Sequence, residues 1–205
     1  MPKISLNIGI LILAAGASKR MGVPKQMLNW GNTSLLSHAI ETALGVVPKE
    51  IVVILGANYD VLKKDIKDYP VTVLNNLDWD KGLGTSIAKG VSYFENTQFP
   101  INGVLIMLAD QPFVTSSFLE SIIKNFVPNK NQIIATFYEE GKYGVPAIFD
   151  KVYFEELMAL RDDYGAKYLL KKYESQVINL IPSLKNIDLD TQEDYKNAHN
   201  SKFKN

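Results

Sequence analysis

The chain has 205 residues, 46% of them apolar and 21% charged, with 22 Lys and Arg against 22 Asp and Glu and no cysteine. Zero net charge offers no basic face for a nucleic-acid partner, and without cysteine there is no disulfide, thiolate nucleophile or Cys-ligated metal. The apolar run Ile8–Ala15 is too short for a signal sequence or a membrane span. The expectation is one domain over residues 1–205, cytoplasmic and without a membrane partner, with a core over about 6–199 and a polar tail fraying from Asn200.

In chain order, the first candidate strand is Ile8–Ala14. A helical stripe follows at Leu36, Ala39, Ile40, Ala43 and Val47, spaced at i, i+3 or i+4. Ile51–Leu55, Val71–Leu74 and Val104–Leu108 are further strands, each nearly continuous in apolar residues, as expected when both faces of a parallel sheet are covered. Thr115 is the N-cap expected for a helix whose stripe is Phe118, Leu119, Ile122, Ile123 and Phe126. Beyond the strand Ile133–Thr136, the pattern reads as a polar turn at Tyr138–Tyr143 and a short strand at Val145–Phe149. Helices at Tyr153–Leu160 and Ala166–Tyr173 and a strand at Gln176–Leu180 come next. A last helix opens on the capping box Thr191-Gln192-Glu193-Asp194. Strands alternating with helices predict a Rossmann-like, doubly wound α/β fold with a mostly parallel sheet. Such sheets bind ligands at the carboxyl ends of their strands, so the residues after each apolar run are the ones to weigh.

After the first strand comes Leu13-Ala14-Ala15-Gly16-Ala17-Ser18-Lys19-Arg20-Met21-Gly22-Val23-Pro24-Lys25. Small residues let the backbone approach a ligand and aim N–H groups at phosphate oxygens. Arg20 adds a planar fork and Lys25 a compact charge. The Walker loop is excluded for want of Gly-Lys-Ser/Thr, and the dinucleotide fingerprint because Gly16 and Gly22 are too far apart. The fourth strand ends in Met107-Leu108-Ala109-Asp110-Gln111-Pro112. A carboxylate held there suits Mg²⁺, which takes one or two carboxylates plus substrate phosphates; a turn Asp is the plainer alternative. A second acidic pair, Asp188 and Asp190, lies on one side of an extended segment, and helix-entry electrostatics is its alternative role. Asn75–Ser86 carries Gly82 and Ser86 beside a helix N-terminus, and Trp79 reads as packing.

The pattern Leu-Ala-Ala-Gly-x-Ser-x-Arg-Met-Gly-x-x-Lys resembles the signature loop of the Rossmann-like nucleotidyltransferase superfamily, and Asp-Gln-Pro the metal motif of its molybdenum-cofactor cytidylyltransferase branch. The likeness runs from Leu11 to Asp194, with Gln192 where Pro is usual. It implies a single Mg²⁺-dependent nucleotidyltransferase domain in which Ala14, Ala15, Gly16, Ser18, Arg20, Lys25, Gly82 and Ser86 bind the nucleotide. Arg20, Lys25 and Asp110 would be catalytic, with Asp110 and Asp190 on the metal. Gly144, Pro146, Lys167 and Asp188 would face the acceptor, Lys167 replacing the branch's Arg. The partners implied are a nucleoside triphosphate, CTP before GTP, a phosphorylated acceptor, molybdopterin, and a molybdoenzyme that receives the product. Sugar phosphates and methylerythritol phosphate are acceptors of related enzymes. The contrasting reading is a non-catalytic nucleotide- or cofactor-binding maturation chaperone. His38 and His199 are read as structural or exposed.

Overall fold

A computed structural model describes residues 6–138, 142–161, 163–183 and 187–204. The elements are β1 (Ile8–Leu13), β2 (Asn29–Trp30), β3 (Thr33–Ser34), α1 (Leu35–Leu44), β4 (Glu50–Leu55), α2 (Tyr59–Asp65), β5 (Thr72–Asn75), α3 (Leu83–Glu95), β6 (Gly103–Leu108), α4 (Ser116–Asn125), β7 (Ile133–Tyr138), β8 (Lys142–Asp150), α5 (Phe154–Met158), α6 (Lys167–Lys172), β9 (Val177–Leu180) and α7 (Gln192–Phe203). Seven strands form one sheet in the order β5-β4-β1-β6-β8-β7-β9, and β2 and β3 make a separate hairpin. The pairs β4/β5, β1/β4, β1/β6 and β7/β9 are parallel, while β8 runs antiparallel to both β6 and β7. The fold is the doubly wound, mostly parallel α/β arrangement.

The continuous apolar runs divide by the strand period of two. Ile8, Ile10, Ile12 and Ala14 of the first run pack with Leu36 and Ile40 of α1, Leu62 of α2 and Leu119 and Ile122 of α4. Leu11, Leu13 and Ala15 point to the other face, with Ile87 and Val91 of α3, Leu157 of α5 and Leu169 and Leu170 of α6. Each fully buried Leu or Ile contributes roughly 1.5–3 kcal/mol. β1 is therefore clamped from both sides, and its end is a rigid platform. Among the described residues no helix is long and apolar enough to cross a membrane.

Several expectations change. Val47 is 88% exposed with φ +50: α1 stops at Gly45, and Pro48 disfavours a helical residue before it. β5 lies at the sheet edge and is only half-buried. Tyr138 and Lys142–Tyr143 are strand residues, while residues 139–141 of the expected polar turn lie outside the described residues. The segment expected as one helix over Tyr153–Leu160 begins as a 3-10 turn at Lys151–Tyr153 and continues as α5. The C-terminal segment does not fray at Asn200, because α7 runs on to Phe203. The Phe203 ring stands 5.2 Å from Trp30 and 4.8 Å from His199. Tyr195, His199 and Phe203 recur every four residues and form one aromatic stripe that a low mean hydropathy conceals. Neither α2 nor the hairpin was signalled by periodicity.

One close approach ties the sheet to the loop after β1. A Cβ on Gly56 would lie 2.6 Å from Trp79 Cβ and 2.7 Å from the carbonyl oxygen of Ala15. Backbone cannot yield there without strain, so Gly56→Ala is expected to lower stability by roughly 1–3 kcal/mol. The check is the urea midpoint, which should fall with an unchanged slope.

Candidate active site

The site begins with register. Leu13 of β1 is level with Leu108 of β6, and the Ala109 N–H donates to the Leu13 carbonyl at 3.2 Å. Because β4 and β5 extend to one side of β1 and β6 to the other, the chain changes direction across this pair. The crevice beyond such a switch point is where open α/β sheets bind ligands. A cleft of about 1020 Å³ opens there, with Ala14, Ala15, Gly16 and Asp110 in its wall.

The loop after β1 is tied by its carbonyls. Gln26, only 3% exposed, donates its amide to the carbonyls of Ala14 at 3.0 Å and Gly16 at 2.9 Å. The Ala15 carbonyl accepts from the Ala57 N–H at 3.0 Å. Ser18, at φ +53, donates to Gln26 Oε1 at 3.2 Å and accepts the Lys25 N–H at 3.0 Å. In a trans peptide the C=O and N–H point opposite ways, so a loop that turns its carbonyls inward offers its N–H groups outward. No backbone N–H from Ala15 to Arg20 has an acceptor among the described residues. Such a run of donors is suited to an anion. Gln26 was missed by sequence reasoning, since neither spacing nor charge marks it beside Lys25.

On the β6 side, the Leu189 N–H donates to the Asp110 carbonyl at 3.1 Å. Leu189 is fully buried with Trp30, Leu35 and Ala198. With Leu189 turned inward, Asp188 and Asp190 on either side of it both face the cleft. The Lys25 ammonium bonds Asp110 Oδ2 and lies 3.2 Å from Asp190 Oδ1, while Arg20 holds Asp190 Oδ2 at 2.9 Å. Side-chain exposure separates these groups: 16% for Lys25 and 15% for Asp110, against 70% for Arg20. Burial works against the Lys25 charge, yet the Asp110 and Asp190 carboxylates outweigh it and hold this ammonium above its ordinary range. Burial pushes the Asp110 carboxyl upward, with Lys25 opposing and Asp188 and Asp190 adding to the push. Among the described residues, Asp110 Oδ1 is buried without a partner.

Gln111, which the sequence marks only as the middle of Asp-Gln-Pro and gives no role of its own, is 5% exposed and joins three elements. Its amide lies 2.8 Å from Asp188 Oδ1, 2.9 Å from the Tyr138 hydroxyl and 3.2 Å from the Val145 carbonyl. Because β8 is antiparallel, its first residues and not its last reach the ligand edge, and Tyr143 and Gly144 line the cleft. Pro146 does not; it is buried in the sheet, its carbonyl accepting from Thr136 Oγ1 at 2.7 Å. Opposite, Gly82 at φ +117 opens α3, a conformation that favours glycine. Ser86 is 2% exposed and accepts from Asn76 Nδ2 at 2.9 Å, leaving its hydroxyl proton to donate. Trp79, Lys167 and, beyond expectation, Lys19 and Lys171 complete the wall. Ser18 and Arg20 act on the cleft through the loop and Asp190 and do not line it. His38 bonds the Pro112 carbonyl at 3.0 Å and His199 packs edge-on to Trp30, so both are structural.

Comparison with known proteins places the chain in a family. Over 121 residues, 58% of the chain, the sequence is 31% identical to nicotine blue oxidoreductase of Paenarthrobacter nicotinovorans; the match spans 57% of that protein's length. Purine catabolism protein PucB of Bacillus subtilis is 28% identical over 201 residues, covering 92% of this chain and 93% of PucB. The crystal structure of Rv0371C from Mycobacterium tuberculosis H37Rv in complex with manganese superposes with a TM-score of 0.79 at 26% identity, covering 95% of this chain and 99% of that one. The model of the MobA-like NTP transferase domain matches residues 10–177, and the chain with its β1 loop and Asp110 edge belongs to that nucleotidyltransferase family.

Proposed function

We propose that this protein transfers a cytidylyl group from CTP to the phosphate of molybdopterin, with Mg²⁺, forming molybdopterin cytosine dinucleotide and pyrophosphate for a molybdoenzyme. The observation that carries the reading is the meeting of Lys25, Asp110 and Asp190 beside outward-facing loop N–H groups. A non-catalytic carrier would have no use for a largely buried cation between two carboxylates.

The carboxylates fit a divalent cation. Asp110 Oδ1 is buried and unpartnered, and Asp190 lies across the same ammonium. Among the described residues no three His, Cys, Asp or Glu side chains could ligate a metal by themselves. That matches a hard cation that takes the rest of its shell from phosphates and water, and the related Rv0371C has been crystallised with manganese. Asp110 and Asp190 would hold the ion, which supplies charge neutralisation on the triphosphate. The loop N–H groups from Ala15 to Ala17 would then cradle phosphate oxygens, and Lys25 would offset the charge that builds on departing pyrophosphate. The acceptor phosphate, already ionised at neutral pH, attacks the α-phosphorus in line. It needs no general base, in keeping with two structural histidines. Gly144, Lys167 and Asp188 stand on the acceptor side.

Base choice rests on Ala15. Ala15 lies in the cleft wall, its carbonyl is pinned by the Ala57 N–H, and Gly56 packs close behind that carbonyl. A wall that cannot retreat favours a pyrimidine over a larger purine.

Asp110→Asn keeps the shape and removes the charge, so Mg²⁺-dependent turnover should fall by at least about a hundredfold with the circular dichroism unchanged. Asp190→Asn should lose less. Near-normal turnover of the Asp110 variant would refute the metal assignment.

For the base, wild type should prefer CTP to GTP by about tenfold to a hundredfold, and Ala15→Gly should shrink that ratio. The measurement is kcat/KM for both nucleotides with one acceptor. A ratio untouched by the substitution would show that the base is read elsewhere.

A further inference from the structure

Lys25 stands where two roles collide. As a loop cation it belongs to the triphosphate, but here its ammonium bonds Asp110 and lies 3.2 Å from Asp190, the carboxylates assigned to the metal. Its side chain is 16% exposed, and among the described residues no other carboxylate lies within ion-pair distance to receive it. A divalent ion arriving alone would have to evict this ammonium and leave a largely buried cation without a counterion. Breaking a buried pair by removing one partner is among the more costly changes a protein can undergo. An ion arriving on a triphosphate brings the phosphates that receive the displaced ammonium, so every charge stays paired.

We propose that Lys25 is the resident cation of the Asp110/Asp190 site and makes the metal–triphosphate complex, not the free metal, the species that binds. This deepens the reading of the site as a metal-dependent nucleotidyltransferase centre and rests on it. Three features of the molecule support the exchange. The Lys25 N–H is anchored to Ser18 Oγ, so the side chain pivots from a fixed backbone. The N–H groups of Ala15 to Ala17, opposite the tied carbonyls of Ala14 to Gly16, belong to the same loop, so phosphates seated on them would lie within the lysine's reach. Asp190 keeps its second partner, Arg20 at 2.9 Å, whichever cation sits beside Asp110. Lys25 therefore discriminates between forms of the substrate as well as stabilising its charge. By linkage, nucleotide and metal must each raise the other's affinity by the same factor.

The test is Mn²⁺ binding to the full chain, read from the electron paramagnetic resonance of the free ion, with and without CTP and in the absence of acceptor, each CTP titration being referred to the same CTP concentration without protein because CTP itself takes up Mn²⁺. Wild type should bind Mn²⁺ weakly alone and at least about tenfold more tightly with CTP. Lys25→Met removes the resident charge and should bind Mn²⁺ alone at least about tenfold more tightly than wild type. Asp110→Asn added to that variant should abolish the gain. Wild type alone tests the proposal through the CTP dependence, should Lys25→Met fail to fold. Equal wild-type affinity with and without CTP, or no gain in a folded Lys25→Met, overturns the lysine's role while leaving the metal site in place. Absence of Mn²⁺ binding by every protein, with or without CTP, overturns the metal reading and this proposal with it.

Discussion

Taking the Asp110 carboxylate out of water carries a penalty of several kcal/mol unless a cation goes with it, and Lys25 is that cation. The demand reaches across the chain. Lys25 comes from the loop after β1, Asp110 from the tip of β6, and Asp190 from just before the last helix. Each element is placed by its own packing, and the charges meet because the packing leaves them no other arrangement. Asp110 retains one unpartnered oxygen. A site left partly unsatisfied inside a well-packed protein is a place where function outweighs stability.

The C-terminal helix does more than close the fold. Its capping box fixes the chain at Thr191, one residue after Asp190. Gln192 reaches the Met21 carbonyl at 2.9 Å, and Tyr195 reaches the Asn29 carbonyl at 2.8 Å. With Phe203 and His199 against Trp30, the helix becomes a strap from the aromatic cluster to the loop after β1. Asp190 is thereby held on a rigid element although it lies in an extended segment, which is how a site keeps its geometry. The side of the cleft proposed for the acceptor is built differently. Reversal of β8 carries Gly144 to the cleft edge, and Gln111 couples that strand to Asp188.

On the proposed reading, the nucleotide side is set by backbone. Gln26 and Ala57 take the carbonyls of Ala14, Ala15 and Gly16, which leaves the N–H donors of the same peptides to read charge and shape. Discrimination among nucleotides would then fall to wall positions such as Ala15, where the missing side chain of Gly56 lets the wall stand close to the sheet. A backbone cradle of this kind would let base and acceptor vary on one fold.

The fold class was legible because buried parallel strands and amphipathic helices leave strong local patterns, and the strands after Ile8, Ile51, Val104 and Ile133 all form where those patterns lie. Asp110, Lys25 and the small residues of the first loop were legible because charge and glycine stand out at strand ends. What stayed hidden has no local signature. β8 reads as a strand in either direction, and only pairing with β6 and β7 makes it antiparallel. Arg20 looks like a phosphate ligand by type, yet Asp190, 170 residues away, holds it at the rim. Gln26 and Gln111 are uncharged and aperiodic, and their importance comes from burial against carbonyls and carboxylates supplied by distant segments. Local sequence determines which elements form and which chemical groups they carry. Which of those groups meet is decided by strand order, register and the need of each buried polar atom for a partner, and these exist only once the chain has folded.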